Sequence, residues 1–144
     1  VTFLPYLSGE RTPHNNPNAQ GVFFFLLHNT SRAVLGRAVL EGVAFAFADG
    51  QQVLLDAGTK IDQVSVIGGG ARSELWGRIL ASVLNRPLIY REGSEVGPAF
   101  GAARLARMAV TSELPATVCL PGKIKHIIEA DSTINKPLML NKLT

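Results

Sequence analysis

Cysteine, long apolar runs and a strong excess of one charge are what this chain of 144 residues lacks. Its single cysteine, Cys119, excludes an internal disulfide and is typical of a reducing compartment, so we expect a cytoplasmic protein. No apolar run approaches the roughly 20 residues of a membrane span, and no basic flank precedes an apolar signal core. We therefore expect no membrane partner. The chain begins at Val1 rather than methionine, which predicts a fragment of a longer protein.

The charge balance argues against a nucleic-acid partner. The net charge is only +3, and the basic side chains are scattered along the chain rather than clustered. Hydrophobic residues make up 47% of the sequence and charged residues 17%, a balance that favours a buried core over disorder. The length fits about one domain.

The most informative stretch runs from Gln63 to Leu84. A β-branched run begins it, three glycines (Gly68, Gly69, Gly70) follow, and apolar residues then recur at helical spacing. This order predicts a strand, a glycine turn and a helix. The turn is either a tight structural connection or a place where a ligand lies against bare backbone. It is not a Walker loop, since no Gly-Lys-Ser/Thr follows, and it lacks the dinucleotide spacing G-x-G-x-x-G.

Other elements are predicted by caps and local pattern. Ser31 is the expected N-cap of a helix that reaches Asp56, with Gly58 after its end. The run 21–27, GVFFFLL, predicts a buried strand or turn-strand. A short strand is expected at 88–90, a glycine-started helix from Gly97, and a strand or helix at 123–128. Glycine and alanine on one face of the helix after Gly97 predict close packing against another helix.

Four blocks in order carry a resemblance to a known family: GERTPH, RAVLEG, GGGARSELW and GPAFGAARLA. Together they resemble the FGGY carbohydrate kinases, and among these are most similar to xylulokinases, over about residues 3–110. The resemblance implies an α/β ribonuclease H-like, actin-like ATPase fold, here an incomplete C-terminal lobe. It divides the chain into a nucleotide-side kinase domain at 1–110, lacking its upstream part, and an atypical tail at 111–144. The tail is either loosely ordered or outside the family's frame.

The resemblance also implies roles for particular residues. The adenosine turn of the family places nucleotide contacts at Gly68, Gly69, Gly70, Ala71, Ser73 and Glu74. The hinge between the two kinase lobes corresponds to Gly97, Gly101 and Ala102. A loop that faces the interdomain cleft carries Glu10, Arg11, Thr12 and His14.

Some positions depart from the family pattern. Asn16-Pro17 and Gln20-Gly21 stand where related kinases often carry Asp-Pro and Arg-Gly. Phe25 and Leu27 occupy positions where the family usually has a glycine and a threonine near the phosphates. Phenylalanine adds bulk there, and leucine removes a hydroxyl donor. Glu41, in the long helix, is interpreted as a helix-surface or hinge residue rather than a catalytic carboxylate.

The resemblance implies an activity that this chain would share with an upstream lobe. ATP and D-xylulose would give ADP and xylulose 5-phosphate, with Mg²⁺ bound through the nucleotide. The catalytic aspartate and both phosphate loops of the family lie upstream, so we assign no catalytic residue and no protein metal ligand to this chain. A homodimer is one possible oligomeric state, and the sequence does not decide it. The alternative is an inactive remnant or pseudokinase-type interaction domain, which the substitutions at Phe25 and Leu27 favour.

Overall fold

The computed structural model describes residues 1–131, which form a mixed α/β structure with two small sheets. In the first sheet, β1 (Thr2–Leu4) pairs antiparallel with β2 (Val22–Phe24). In the second, β4 (Leu88–Arg91) lies in the middle. It pairs parallel with β3 (Val64–Val66) and antiparallel with β5 (Ile124–Ile128). The prediction of an α/β chain is therefore correct at the level of its elements.

Four helices belong to the described part of the chain. The longest is α1 (Arg32–Asp56), and it packs against both β1 and α2 (Glu74–Leu84). α3 (Pro98–Thr111) begins after Gly97, as predicted, and the short α4 (Pro115–Val118) packs beside it. Within residues 1–131, no helix combines the length and the apolarity that crossing a membrane requires.

The core is formed by α2, α1 and the three-stranded sheet. α2 and β4 contribute most of the buried apolar side chains, among them Ile79, Leu80, Val83, Leu84, Leu88 and Tyr90. Because the middle strand is covered by neighbours on both edges, its residues Leu88, Ile89 and Tyr90 are all buried. The predicted strand, glycine turn and helix thus join β4 in a parallel βαβ unit at the centre of the fold.

The long helix begins and ends where its caps predict. The Ser31 hydroxyl accepts a hydrogen bond from the Val34 amide at 3.3 Å, and Gly58 follows the helix with φ +85°. In the middle of α1, Gly42 lies directly against the backbone carbonyl of Phe3. A side chain at Gly42 would push β1 away, so this glycine permits the close contact between α1 and β1.

Three expectations need correction or qualification. The run 21–27 does form a strand, β2, but it is not buried, because β2 is the outer strand of its sheet and β1 is the one that packs on α1. Glu41 is not a surface residue: it is only 8% exposed and pairs with Arg37 at 2.6 Å. The segment 123–128, for which a strand or a helix was expected, forms the strand β5 of the three-stranded sheet. The tail predicted at 111–144 extends beyond the described residues, and its boundary stays a prediction.

Candidate functional site

The glycine turn connects β3 to α2 through a short 3₁₀ helix at Gly69–Arg72. Gly68 has φ +86°, a conformation that side chains with a Cβ rarely adopt, and its amide donates to the Ser94 carbonyl at 2.8 Å. The first amides of a helical turn have no acceptor within that turn. The arrangement therefore presents backbone donors at a bend that only glycine forms easily.

The three glycines differ in what surrounds them. A Cβ placed on Gly68 or Gly69 would meet no atom within 4 Å among the described residues. A Cβ on Gly70 would lie 2.9 Å from Cε3 of Trp76 and closer still to Cζ3 of the same ring. Gly70 is thus explained by the packing of Trp76, whereas the open space at Gly69 leaves room for a ligand. Sequence reasoning treated the three positions alike, because it had no means of locating the indole ring.

The start of α2 is built by Ser73 and Glu74. The Ser73 hydroxyl accepts from the Trp76 amide at 3.2 Å, as an N-cap does. The Glu74 carboxylate accepts from the Arg78 guanidinium at 2.6 Å on the exposed face of the helix. Because the two charges are paired with each other, this pair offers no net positive charge to a phosphate at the helix start. The start of α2 consequently suits a base or a ribose better than it suits phosphates.

The predicted hinge residues separate into two groups. Gly97, with φ +57°, approaches the turn so closely that a Cβ on it would lie 3.7 Å from Gly68 Cα. Gly101 and Ala102 are exposed, and outside its own helix nothing described lies within 4 Å of a Cβ placed on Gly101. The close helix packing expected for this face is therefore not made within residues 1–131. Among the described elements, α3 makes its main contact with the short α4, and this contact leaves the small residues uncovered.

An open cavity of about 880 Å³ lies beside the start of α2. The turn and α2 line it with Ala71, Arg72, Glu74 and Arg78. β4 and the following turn add Tyr90, Ser94 and Glu95, and the strand β5 with the residues after it adds 125–129 and 131. Two of the predicted nucleotide residues, Ala71 and Glu74, thus face a space large enough for a nucleotide base and ribose. Sequence reasoning missed the wall formed by β5, because no pattern in 111–131 indicates which strand this segment joins.

The loop with the predicted cleft residues is held mainly by its own groups. The Glu10 carboxylate accepts from the amides of His14 and Asn15 at 2.7 and 3.1 Å. Arg11 and Thr12 are exposed. Partial burial raises the pKa of the nearby Tyr6 hydroxyl, with smaller contributions from the carboxylates of Asp49 and Glu10. Glu10 therefore stabilises the loop by accepting these backbone hydrogen bonds, whereas Arg11 and Thr12 are exposed on its surface.

The two departures after β2 have visible structural consequences. Phe25 has φ +62° and is 67% exposed, so a bulky residue occupies a backbone conformation that favours glycine. The Leu27 amide donates to the Thr30 hydroxyl at 2.8 Å, while the leucine side chain is exposed. The backbone at Phe25 thus has the left-handed conformation that the glycine expected from the family resemblance would adopt easily.

The chain is similar to known proteins over most of its length. The family model described as "FGGY family of carbohydrate kinases, C-terminal domain" matches residues 1–110. A xylulose kinase of Escherichia coli (strain K12) is 56% identical over 121 residues, which cover 84% of this chain and 25% of that protein.

Solved structures show the same likeness. A xyloylose kinase from Brucella ovis superposes with a TM-score of 0.84 at 44% identity, covering 97% of this chain and 29% of its own. A xylulose kinase from Rhodospirillum rubrum gives a TM-score of 0.74 at 32% identity, covering 96% and 28%. The chain therefore spans between a quarter and a third of the length of these proteins.

Proposed function

Because the chain belongs to the FGGY family of carbohydrate kinases, through its C-terminal domain, we propose that it supplies the nucleotide side of an ATP-dependent sugar kinase. The family resemblance and the actin-like ATPase fold expected from the sequence are both confirmed. The finer assignment is that the complete enzyme phosphorylates D-xylulose to xylulose 5-phosphate. It is supported by the xylulose kinases among the similar proteins.

One observation carries the proposal of a nucleotide site. The backbone of Gly69 is exposed just after the left-handed bend at Gly68, and residues further along the chain, from Ala71, open onto the cavity beside α2. Phosphates would lie against the amides of the turn, and the base and ribose would lie in the cavity by Ala71 and Glu74. This orientation of the nucleotide agrees with the ion pair of Glu74 and Arg78, which leaves no unpaired cation of that pair for a phosphate at the start of α2.

In this proposal the chain positions the nucleotide and contributes no catalytic base. Phosphoryl transfer depends mainly on positioning and on neutralising the phosphate charge, and Mg²⁺ supplies much of that neutralisation. Among residues 1–131 no cluster of three His, Cys, Asp or Glu side chains could hold a metal ion. Mg²⁺ would therefore be bound through the phosphates and through groups of the upstream lobe. Cys119 is a free, exposed thiol, which suits the cytoplasm as the place of reaction.

We further propose that Gly97 couples the nucleotide turn to the hinge. Gly97 begins α3 and lies against Gly68, and the Ser94 carbonyl just before it accepts from the Gly68 amide. A displacement of α3 during closure of the two lobes would thus reach the turn directly. The uncovered face at Gly101 and Ala102 would be the surface that meets the upstream part of the enzyme.

The alternative function is an interaction domain that has kept the kinase scaffold without its activity. Phe25 in a glycine-like conformation, with the exposed side chains of β2 around it, is the observation that favours this alternative. It predicts that the turn no longer binds nucleotide. The two functions therefore differ in a binding experiment on this chain.

That experiment is a titration of the isotope-labelled chain with ADP, followed by amide chemical shifts. We expect shifts at Gly68–Arg72, at the start of α2 and at Ser94–Gly97. The variant Gly69→Ala should bind ADP at least roughly fivefold more weakly, because a Cβ that overlaps the ligand costs about 1 kcal/mol or more. Gly69 tolerates the Cβ in the free protein, so its fold should be unaffected.

The matched control is Gly50→Ala, a glycine of α1 with equally open surroundings. It should bind ADP like the original chain. If millimolar ADP moves no amide of the turn, or if Gly69→Ala binds as tightly as Gly50→Ala, the nucleotide proposal is wrong. We also expect no turnover of ATP and D-xylulose by this chain alone, because the opposing lobe is needed for positioning. Turnover in a coupled assay would contradict that expectation.

A further inference from the structure

The wall of the cavity formed by β5 carries a stacked pair of rings. The imidazole of His126 lies parallel to the ring of Tyr90, with a centroid distance of 4.4 Å and an angle of 12° between the planes. Tyr90 is only 3% exposed, whereas His126 is exposed, and both line the cavity. Tyr90 can cover only one face of the imidazole, so it acts as a fixed support beneath an exposed planar ring.

This wall is held firmly to the core. β5 pairs with the buried strand β4, and His126 is directly opposite Tyr90 in that pairing. Beyond β5, the Asp131 amide donates to the hydroxyl of the fully buried Ser82 in α2 at 3.2 Å. The chain is thus attached to α2 and to β4 on either side of the cavity, which keeps His126 in place. Preorganised surfaces of this kind lose little entropy when a ligand binds.

The charges around the cavity indicate which part of a nucleotide it would accept. Its lining has four carboxylates (Glu74, Glu95, Glu129 and Asp131) and three side chains of lysine or arginine. One of these three, Arg78, is already paired with Glu74. Because this ion pair cancels one charge of each sign, the remaining lining has one carboxylate more than it has cations. Neutral groups such as a base and ribose hydroxyls are compatible with this nearly balanced lining.

We propose that His126 is the base-stacking residue of the nucleotide site, with Tyr90 as its support. The inference rests on the proposed nucleotide function and adds to it a contact from the segment beyond the residues that the family model matches. The purine would lie on the exposed face of the imidazole, and its ribose would point toward Ala71 and the glycine turn. Planar stacking on an aromatic ring is favourable for any base and does not require particular hydrogen bonds.

The histidine ring resonances provide a direct test, because the chain contains only three histidines. On titration with ADP, the ring protons of His126 should move upfield and saturate together with the amides of Gly68–Arg72. The rings of His14 and His28 should not move. Inorganic pyrophosphate, which has no base, should leave the His126 ring unmoved.

Variants separate stacking from strand stability. His126→Ala should weaken ADP binding at least roughly fivefold, the loss expected for one base stacked on one ring, while pyrophosphate binding stays the same. His126→Tyr should retain ADP binding, because a planar ring is present again. His28→Ala is the matched control, and thermal unfolding of each variant shows whether β5 is intact.

The outcomes distinguish this inference from the function on which it rests. If ADP moves the turn amides while the His126 ring is unmoved and His126→Ala binds normally, the stacking inference alone is wrong. If His126→Tyr binds as weakly as His126→Ala, the imidazole acts through its nitrogens and stacking is refuted. If ADP moves neither the turn nor the ring, the proposed function and the stacking both fall.

Discussion

Two neighbouring glycines, Gly69 and Gly70, should respond oppositely to the same substitution. Both lie in the 3₁₀ helix, neither has a positive φ, and both would become alanine. The gain from restricting the unfolded chain is therefore similar for the two, about 0.4–1 kcal/mol. At Gly69 nothing opposes that gain, so Gly69→Ala should be neutral or slightly stabilising.

At Gly70 the new Cβ collides with the six-membered ring of Trp76. Ordinary contacts of a Cβ lie at 3.4–4 Å, whereas Cε3 of Trp76 would be at 2.9 Å and Cζ3 nearer. The indole lies beside Phe47 of α1, at a ring-centroid distance of 6.4 Å, so a shift of the indole away from the new Cβ disturbs its packing. Overpacking of this kind costs about 1–3 kcal/mol. The gain from restricting the unfolded chain is similar in both variants and cancels when they are compared. The expected difference in unfolding free energy between them is therefore also about 1–3 kcal/mol.

Urea unfolding followed by the fluorescence of the single tryptophan measures this difference and reports on the same ring. In a Trp76→Phe background the outer ring is absent, so Gly70→Ala should lose most of its cost. Because the chain then holds no tryptophan, unfolding of these variants is followed by far-UV circular dichroism. The coupling energy between the two sites should then be on the order of 1 kcal/mol or more. Equal stabilities for Gly69→Ala and Gly70→Ala, or no coupling to Trp76, would refute the packing explanation of Gly70.

Three further predictions concern other parts of the chain. Phe25→Gly should raise the unfolding free energy by about 0.5–1 kcal/mol, because it relieves the left-handed conformation; a loss of stability in urea would contradict this. Gly101→Ala should stabilise this chain by roughly 0.5–1 kcal/mol, since the site is open and helical; destabilisation would mean that α3 is covered. Hydrogen bonds from Arg107 and Thr111 lower the pKa of the Glu113 carboxyl to about 2, so their stabilisation should be lost as pH falls from 4.5 toward 2. Carboxyl NMR titration should find that pKa raised in Arg107→Gln, and an unchanged value would disprove the pairing.

Local signals determined much of this protein. Ser31, Gly58 and the apolar spacing predicted α1 almost to the residue, because a helix cap acts through groups only a few positions away. The order of strand, glycines and helix at 63–84 was equally clear, since it combines two periodicities with the one residue type that tolerates the bend. The family resemblance then indicated where a nucleotide would lie.

Other properties were decided only when distant segments met. Nothing local distinguishes Gly69 from Gly70, because the difference is where the ring of Trp76 packs. The exposure of β2 depends on which of two strands rests on α1, and the burial of Glu41 depends on the face that α1 turns inward.

The cavity wall gives the clearest example of a feature that depends on contacts between distant segments. His126 sits in a segment without a recognisable pattern, and only the pairing of β5 with β4 brings its ring onto Tyr90. The pairing of a strand depends on which sheet edge is available and on how much apolar surface the pairing buries. Neither property can be predicted from the sequence of the strand alone. The residue types of this site were therefore present in the sequence, but their meeting was decided by the tertiary structure.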